Sequence, residues 1–167
     1  ILGGSFDPPH KGHLKISRFS IKKFNLSKLY WVITKKNPFK KKPFFSVKER
    51  IKKCKKIVTN FRKIHVIYLD QKIRSSKSVK VINYLKNKNS KQICYFLIGS
   101  DNLIKFHKWE SCKKILKNCK LVIFSRSGYD KKAKKSVIMQ HLNKDNFLFI
   151  KNKKIDISST GLRKKIY

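Results

Sequence analysis

Two histidines, His10 and His13, bracket Gly12 and follow the run Gly3-Gly4-Ser5-Phe6-Asp7-Pro8-Pro9. With no Cβ in the way, the paired glycines let backbone N–H groups come close to a ligand. The two prolines force a turn, and apolar positions at helical spacing follow it. The imidazoles therefore fall at a helix N-terminus, where anions are favoured. Such a layout serves phosphoryl or nucleotidyl transfer, in which positioning and neutralisation of charge on phosphate oxygens do most of the catalysis. His65, His107 and His141 have no comparable setting and read as structural.

A second cluster lies near the other end of the chain. Ser158, Ser159 and Thr160 precede a helical stretch, and Arg163 follows Thr160 by one turn. Three hydroxyls before a helix can simply cap it. With the arginine one turn on, they can also hold a polyphosphate through hydroxyls, backbone N–H groups and a two-pronged guanidinium. Glycine is scarce, only six in all, and Gly99 and Gly128 each follow an apolar run. Where composition has drifted away from glycine, the survivors mark places that exclude a side chain.

The elements that must carry these groups alternate. Residues 29–33, 64–68, 93–98 and 121–124 are short apolar runs rich in β-branched and aromatic residues. Continuous runs of this kind suit strands buried on both faces of a parallel sheet. Amphipathic helical stretches are expected at about 14–25, 46–60, 77–88, 109–118 and 131–142, from the 3.6-residue periodicity. The rhythm predicts an α/β fold, a Rossmann-like doubly wound parallel sheet in a single domain over residues 1–167. In that architecture ligands bind beyond the carboxyl ends of the strands, which is where the glycine turn falls.

The 167 residues are 40% hydrophobic and 12% aromatic, too apolar for a disordered chain despite 31% charge. No run approaches the roughly 20 apolar residues that span a bilayer, and no charged-then-apolar leader precedes the glycine turn, so a cytoplasmic protein is expected. Cys54, Cys94, Cys112 and Cys119 lack metal-ligand spacing and read as free thiols in a reducing compartment. The formal charge of +36 comes from 44 Lys and Arg against 8 Asp and Glu. The lysines are spread along the whole chain among many Ile and Asn, as an AT-rich genome would produce. Nucleic acid is therefore not the expected partner, whereas small polyanions such as nucleotides are attracted in any case.

The first and last motifs together resemble the nucleotidyltransferase superfamily marked by His-x-Gly-His. Within it the chain is similar to the bacterial nicotinate-nucleotide adenylyltransferases along essentially its full length. That similarity includes Asn37-Pro38-Phe39-Lys40, Glu49-Arg50, Gly99-Ser100-Asp101-Asn102-Leu103 with Phe106 and Trp109, and Arg126-Ser127-Gly128-Tyr129. The resemblance implies adenylyl transfer from ATP to nicotinate mononucleotide, with Mg²⁺ carried on the ATP phosphates. It places His10, His13 and Arg163 at the reacting phosphates. Gly4, Ser5, Phe6, Gly99, Asp101, Ser158, Ser159 and Thr160 would hold ATP, and Lys40, Arg50, Lys77, Ser78 and Trp109 the mononucleotide. Where the family often carries Ser-Tyr-Thr, this chain reads Ser76-Lys77-Ser78, which sets Lys77 where it could attract the nicotinate carboxylate. Related readings are an adenylyltransferase for nicotinamide mononucleotide or phosphopantetheine, and a basic nucleic-acid-binding module without turnover.

Overall fold

A computed structural model describes residues 1–35, 37, 42–88, 91–140, 142–151 and 159–163, the side chains of Lys144, Thr160 and Arg163 excepted. The chain divides into two compact units, one made of Leu2–Ser76 with Ile157–Tyr167, the other of Lys77–Asp156 with Ile1.

In the first unit β1 (Leu2–Gly4), β2 (Leu29–Ile33) and β3 (Ile64–Tyr68) lie parallel in the order β3-β2-β1. The helices α1 (Lys11–Lys23) and α2 (Val47–Val58) supply the crossovers. Leu29, Trp31 and Ile33 on one face and Val32 on the other are all buried, as a strand covered on both sides requires. The start of α2 is written in Ser46-Val47-Lys48-Glu49. The Glu49 N–H donates to Ser46 Oγ at 3.3 Å, and the Ser46 N–H donates to Glu49 Oε2 at 2.8 Å. This unit also contains α8 (Ser159–Arg163).

The second unit repeats the pattern with β4 (Tyr95–Gly99), β5 (Lys120–Phe124) and β6 (Phe147–Ile150), parallel in the order β4-β5-β6. Between them run α3 (Ser78–Asn87), α4 (Ser100–Leu103), α5 (Cys112–Asn118), α6 (Asp130–Lys134) and α7 (Val137–Gln140). Its core gathers Val79, Ile82, Phe96, Ile98, Leu103, Phe106, Ile115, Leu121 and Ile123. Cys94 and Cys119 are free thiols whose sulfurs approach to 2.8 Å.

Two expected helices are shorter than their periodicity suggests. The stretch at 109–118 becomes helical only at Cys112, because Ser111 takes a left-handed φ of 52°. The stretch at 131–142 is two short helices that part around Lys135 and Ser136. Strand β6 was not among the expected strands, and Leu148 within it is 42% exposed, unlike the buried runs that announced the others. Among the described residues no helix is long and apolar enough to cross a membrane.

Candidate active site

The turn after β1 delivers both histidines to the first turn of α1, and they cap that helix for each other. His10 is the N-cap, with its Nδ1 accepting the Gly12 N–H at 3.1 Å. His13 Nδ1 accepts the His10 N–H at 3.2 Å. This is a capping box built from two imidazoles instead of a hydroxyl and a carboxylate. An Nδ1 that accepts a backbone N–H carries no proton, so each neutral ring holds its proton on Nε2. The rings pack 3.8 Å apart between centroids, His10 buried and His13 half-buried. They are two N–H donors at the positive end of a 13-residue helix, an arrangement that stabilises negative charge.

Residues behind His13 set its place. Ser17 Oγ donates to the His13 carbonyl at 2.7 Å and accepts Trp31 Nε1–H at 2.8 Å. The Phe6 ring stacks on Trp31 at 5.0 Å and leans on His13 at 4.8 Å. Ser17 and Trp31 are wholly buried. Neither was picked out in the sequence, where a serine inside a helix and an aromatic in a strand carry no sign of their partnership.

Asp7 fixes the turn. Its Oδ2 accepts the Phe44 N–H at 2.8 Å and its Oδ1 the Phe45 N–H at 2.9 Å. Ser159, at the start of α8, donates from Oγ to the Pro8 carbonyl at 2.9 Å, so the structure brings this member of the second cluster to the histidine turn. Ser158 lies outside the described residues, as does Lys40, and Thr160 and Arg163 are placed only as backbone in α8.

Arg50 departs from expectation. Instead of facing a phosphate it is 1% exposed and donates to main-chain carbonyls of Ser5, Thr34, Lys35 and Phe45. Asp70 lies nearby, its Oδ2 accepting the Lys35 N–H at 2.8 Å. Burial pushes the Asp70 carboxyl above its ordinary value, against the Lys35 N–H and the Arg50 charge, which pull it down.

The second unit holds its own polar group at the carboxyl end of β4. Asp101 Oδ2 pairs with Arg126 Nη1 at 2.6 Å. A Cβ at Gly99 would stand inside contact distance of Asp101 Oδ1, so glycine here makes room for the carboxylate. The backbone at Gly99 is ordinary (φ −83°, ψ 156°), whereas Gly128 has a φ of 78° that favours glycine. Asp130 accepts the Arg126 N–H at 3.0 Å together with the Ser125 hydroxyl, holding the segment that presents Arg126.

Lys77 is the N-cap of α3 and forms an ion pair with Glu110, both side chains about half exposed. Ser78 opens α3 and is half-buried. Trp109, next to Glu110, is half-buried against Phe106 at 5.2 Å and Phe96 at 6.1 Å. Arg126 belongs to a motif that the resemblance leaves without a role, and nothing in its local sequence singles out Glu110. The scarcity of acids, eight in the whole chain, was the signal that could have found Glu110.

The sequence model of cytidylyltransferase-like proteins matches residues 1–165. The chain belongs to this family. Among curated relatives, it is 48% identical over 164 residues to a "probable nicotinate-nucleotide adenylyltransferase" of Pelagibacter ubique, covering 98% of this chain and 91% of that one. A protein of the same name in Aquifex aeolicus is 34% identical, covering 96% of this chain and 98% of its own length. The chain is therefore also a member of the nicotinate-nucleotide adenylyltransferase family. Among solved structures, a Plasmodium falciparum nicotinic acid mononucleotide adenylyltransferase complexed with NaAD matches with a TM-score of 0.74 at 21% identity. The match covers 98% of this chain and 81% of that one. The fold expected from the sequence, a Rossmann-like α/β fold, is thus the fold of this family member.

Proposed function

We propose that the protein transfers the adenylyl group of ATP to nicotinate mononucleotide, forming deamido-NAD and pyrophosphate, in the cytoplasmic synthesis of NAD. The observation that carries this reading is the pair of Nε2–H donors from His10 and His13 at the N-terminus of α1.

A phosphate oxygen of the mononucleotide attacks the α-phosphorus of ATP in line. The new P–O bond forms as the bond from the α-phosphorus to the bridging oxygen breaks, and pyrophosphate leaves with the electron pair. No general base is needed, because a phosphate monoester, with its second pKa of about 6, is already ionised at neutral pH. The enzyme's task is to steady charge that moves onto phosphate oxygens, and two N–H donors do this without taking a proton. ATP enters as its Mg²⁺ complex, the ion keeping waters and phosphate oxygens as ligands.

In this reading Ser158, Ser159, Thr160 and Arg163 hold the outer phosphates, the backbone of Gly4, Ser5 and Phe6 lines the reacting group, and Asp101 next to Gly99 takes ribose hydroxyls. Lys40 supplies positive charge to the mononucleotide phosphate. Ser78 and Lys77 receive the nicotinate carboxylate, and Trp109 stacks on the pyridine ring.

The test is pyrophosphate release from ATP and Mg²⁺ with nicotinate mononucleotide, nicotinamide mononucleotide or phosphopantetheine at equal concentration. Release is expected with the nicotinate substrate at the highest kcat/KM. Preference for either of the others overturns the substrate assignment, and release with none overturns the reaction.

A further inference from the structure

Of the 44 Lys and Arg residues, Arg50 alone is buried among the described residues. A guanidinium removed from water persists only where its N–H groups find acceptors. Here Nε donates to the Phe45 carbonyl at 3.0 Å and Nη1 to those of Ser5 at 2.7 Å and Thr34 at 2.8 Å. Nη2 reaches the Lys35 carbonyl at 3.3 Å. Every one of these acceptors is main chain, so the cation is committed to shaping backbone and a phosphate has no access to it.

The bond to Ser5 has a consequence for the site. Ser5 and Phe6 lie in the turn between β1 and α1, and Phe6 has a left-handed φ of 50°. A bulky residue holds that conformation only where its surroundings impose it. In a trans peptide the C=O and N–H point in opposite directions. A guanidinium that grips the Ser5 carbonyl on one side therefore turns the Phe6 N–H to the other. No hydrogen bond of that N–H falls among the described residues. The Phe6 ring meanwhile lies 4.8 Å from the His13 ring, so the N–H belongs to the turn that presents the imidazoles.

We propose that Arg50 is a positioning residue: its buried guanidinium, by gripping the Ser5 carbonyl, fixes and polarises the Ser5–Phe6 peptide and so sets the direction in which the Phe6 N–H, already assigned to the reacting group, is presented beside His10 and His13. The inference rests on the adenylyl-transfer reading. Lysine cannot substitute, because one ammonium has neither the planar fork nor the reach to hold carbonyls from four residues.

The test combines kinetics with amide NMR. In Arg50→Lys, shown to be folded by its circular dichroism, kcat is expected to fall roughly 10²-fold, the scale of one lost preorganised donor, while KM for ATP moves less than about threefold. In Arg50→Ala, millimolar guanidinium ion should restore part of kcat, which general loosening of the fold would not permit. In the wild type, inorganic pyrophosphate should shift the Phe6 amide resonance, and the shift should shrink in Arg50→Lys. Full turnover in folded Arg50→Lys, or a Phe6 amide that ignores pyrophosphate, overturns the proposal. Should neither variant fold, the wild-type titration decides. A wild type that releases no pyrophosphate but moves its Phe6 amide overturns the adenylyl-transfer reading alone. An active wild type with a silent Phe6 amide overturns the role of Arg50 alone.

Discussion

The two units use their few acids in different ways. In the unit of β1–β3, carboxylates accept from main-chain N–H groups: Asp7 from Phe44 and Phe45, Asp70 from Lys35, Glu49 from Ser46. Its buried cation, Arg50, likewise donates, among the described residues, only to main-chain carbonyls. In the unit of β4–β6, Asp101 and Glu110 pair with the side chains of Arg126 and Lys77. A charge tied to backbone is part of the scaffold and cannot be traded for a ligand. A charge tied to another side chain can exchange that partner for a substrate group. The charges of the first unit are thus tied to backbone, and those of the second are tied to partners they can exchange.

The sharpest way to break this contrast is to remove a fixed donor. His13→Ala should lower kcat by roughly 10²–10³-fold with little change in KM for ATP, as removing an oxyanion donor does. Steady-state pyrophosphate release measures it, and a variant with near wild-type kcat would deny the histidine turn its role. In the other unit Gly99→Ala should act through ground-state binding. The new methyl displaces the Asp101 carboxylate and strains its bond to Arg126, while the ordinary backbone angles at 99 tolerate alanine. The expected loss is about tenfold in KM for ATP, the scale of one charge-assisted hydrogen bond, with kcat largely kept. A fall in kcat at unchanged KM would mean that Asp101 is as fixed as the histidines.

The same contrast explains what could be read without coordinates. The strands were legible because runs such as Leu29–Ile33 and Leu121–Phe124 are buried on both faces and so are apolar throughout. Strand β6 was not, because an exposed Leu148 breaks that signature. His10 and His13 were legible because their spacing is short and their turn chemistry local. Arg50 was expected at a phosphate, and its burial against main-chain carbonyls was not legible. Its partners at Ser5 and Thr34 stand 45 and 16 residues away, and whether an arginine meets phosphate or carbonyl depends on burial that only the fold creates. Ser17 and Trp31 share this problem, since their hydrogen bond joins a helix to a neighbouring strand.

A smaller effect is expected where the recruitable charges are exposed. Lys77→Ala should reduce the preference for nicotinate over nicotinamide mononucleotide by no more than about fivefold, because exposed ion pairs are worth roughly 0.2–1 kcal/mol. The ratio of the two kcat/KM values reports it, and thermal stability should stay within about 4 °C of wild type for so exposed a pair. An unchanged ratio would remove Lys77 from carboxylate recognition and leave its pairing with Glu110 a surface feature.

The mildest test concerns Asp130, which mixes the two modes by accepting a hydroxyl from Ser125 and a main-chain N–H from Arg126. Burial, the largest single influence, would raise its pKa, but the hydrogen bonds from Ser125 and Arg126, together with smaller contributions that include the Lys134 charge, hold the carboxyl below its ordinary value of 3.8. A group depressed in the folded state stabilises the fold at pH above its unfolded value and loses that contribution as pH falls through the folded one. Asp130→Asn should therefore lower Tm by on the order of 1–3 °C at pH 7, a screened contribution given the size of the chain. The difference should narrow as pH drops below 3.8 and vanish once the wild-type carboxyl is protonated. Melting curves of both proteins between pH 7 and pH 2.5 would show the convergence. A Tm difference that holds constant across that range would mean that Asp130 acts by shape, and the segment that carries Arg126 would then owe nothing to its charge.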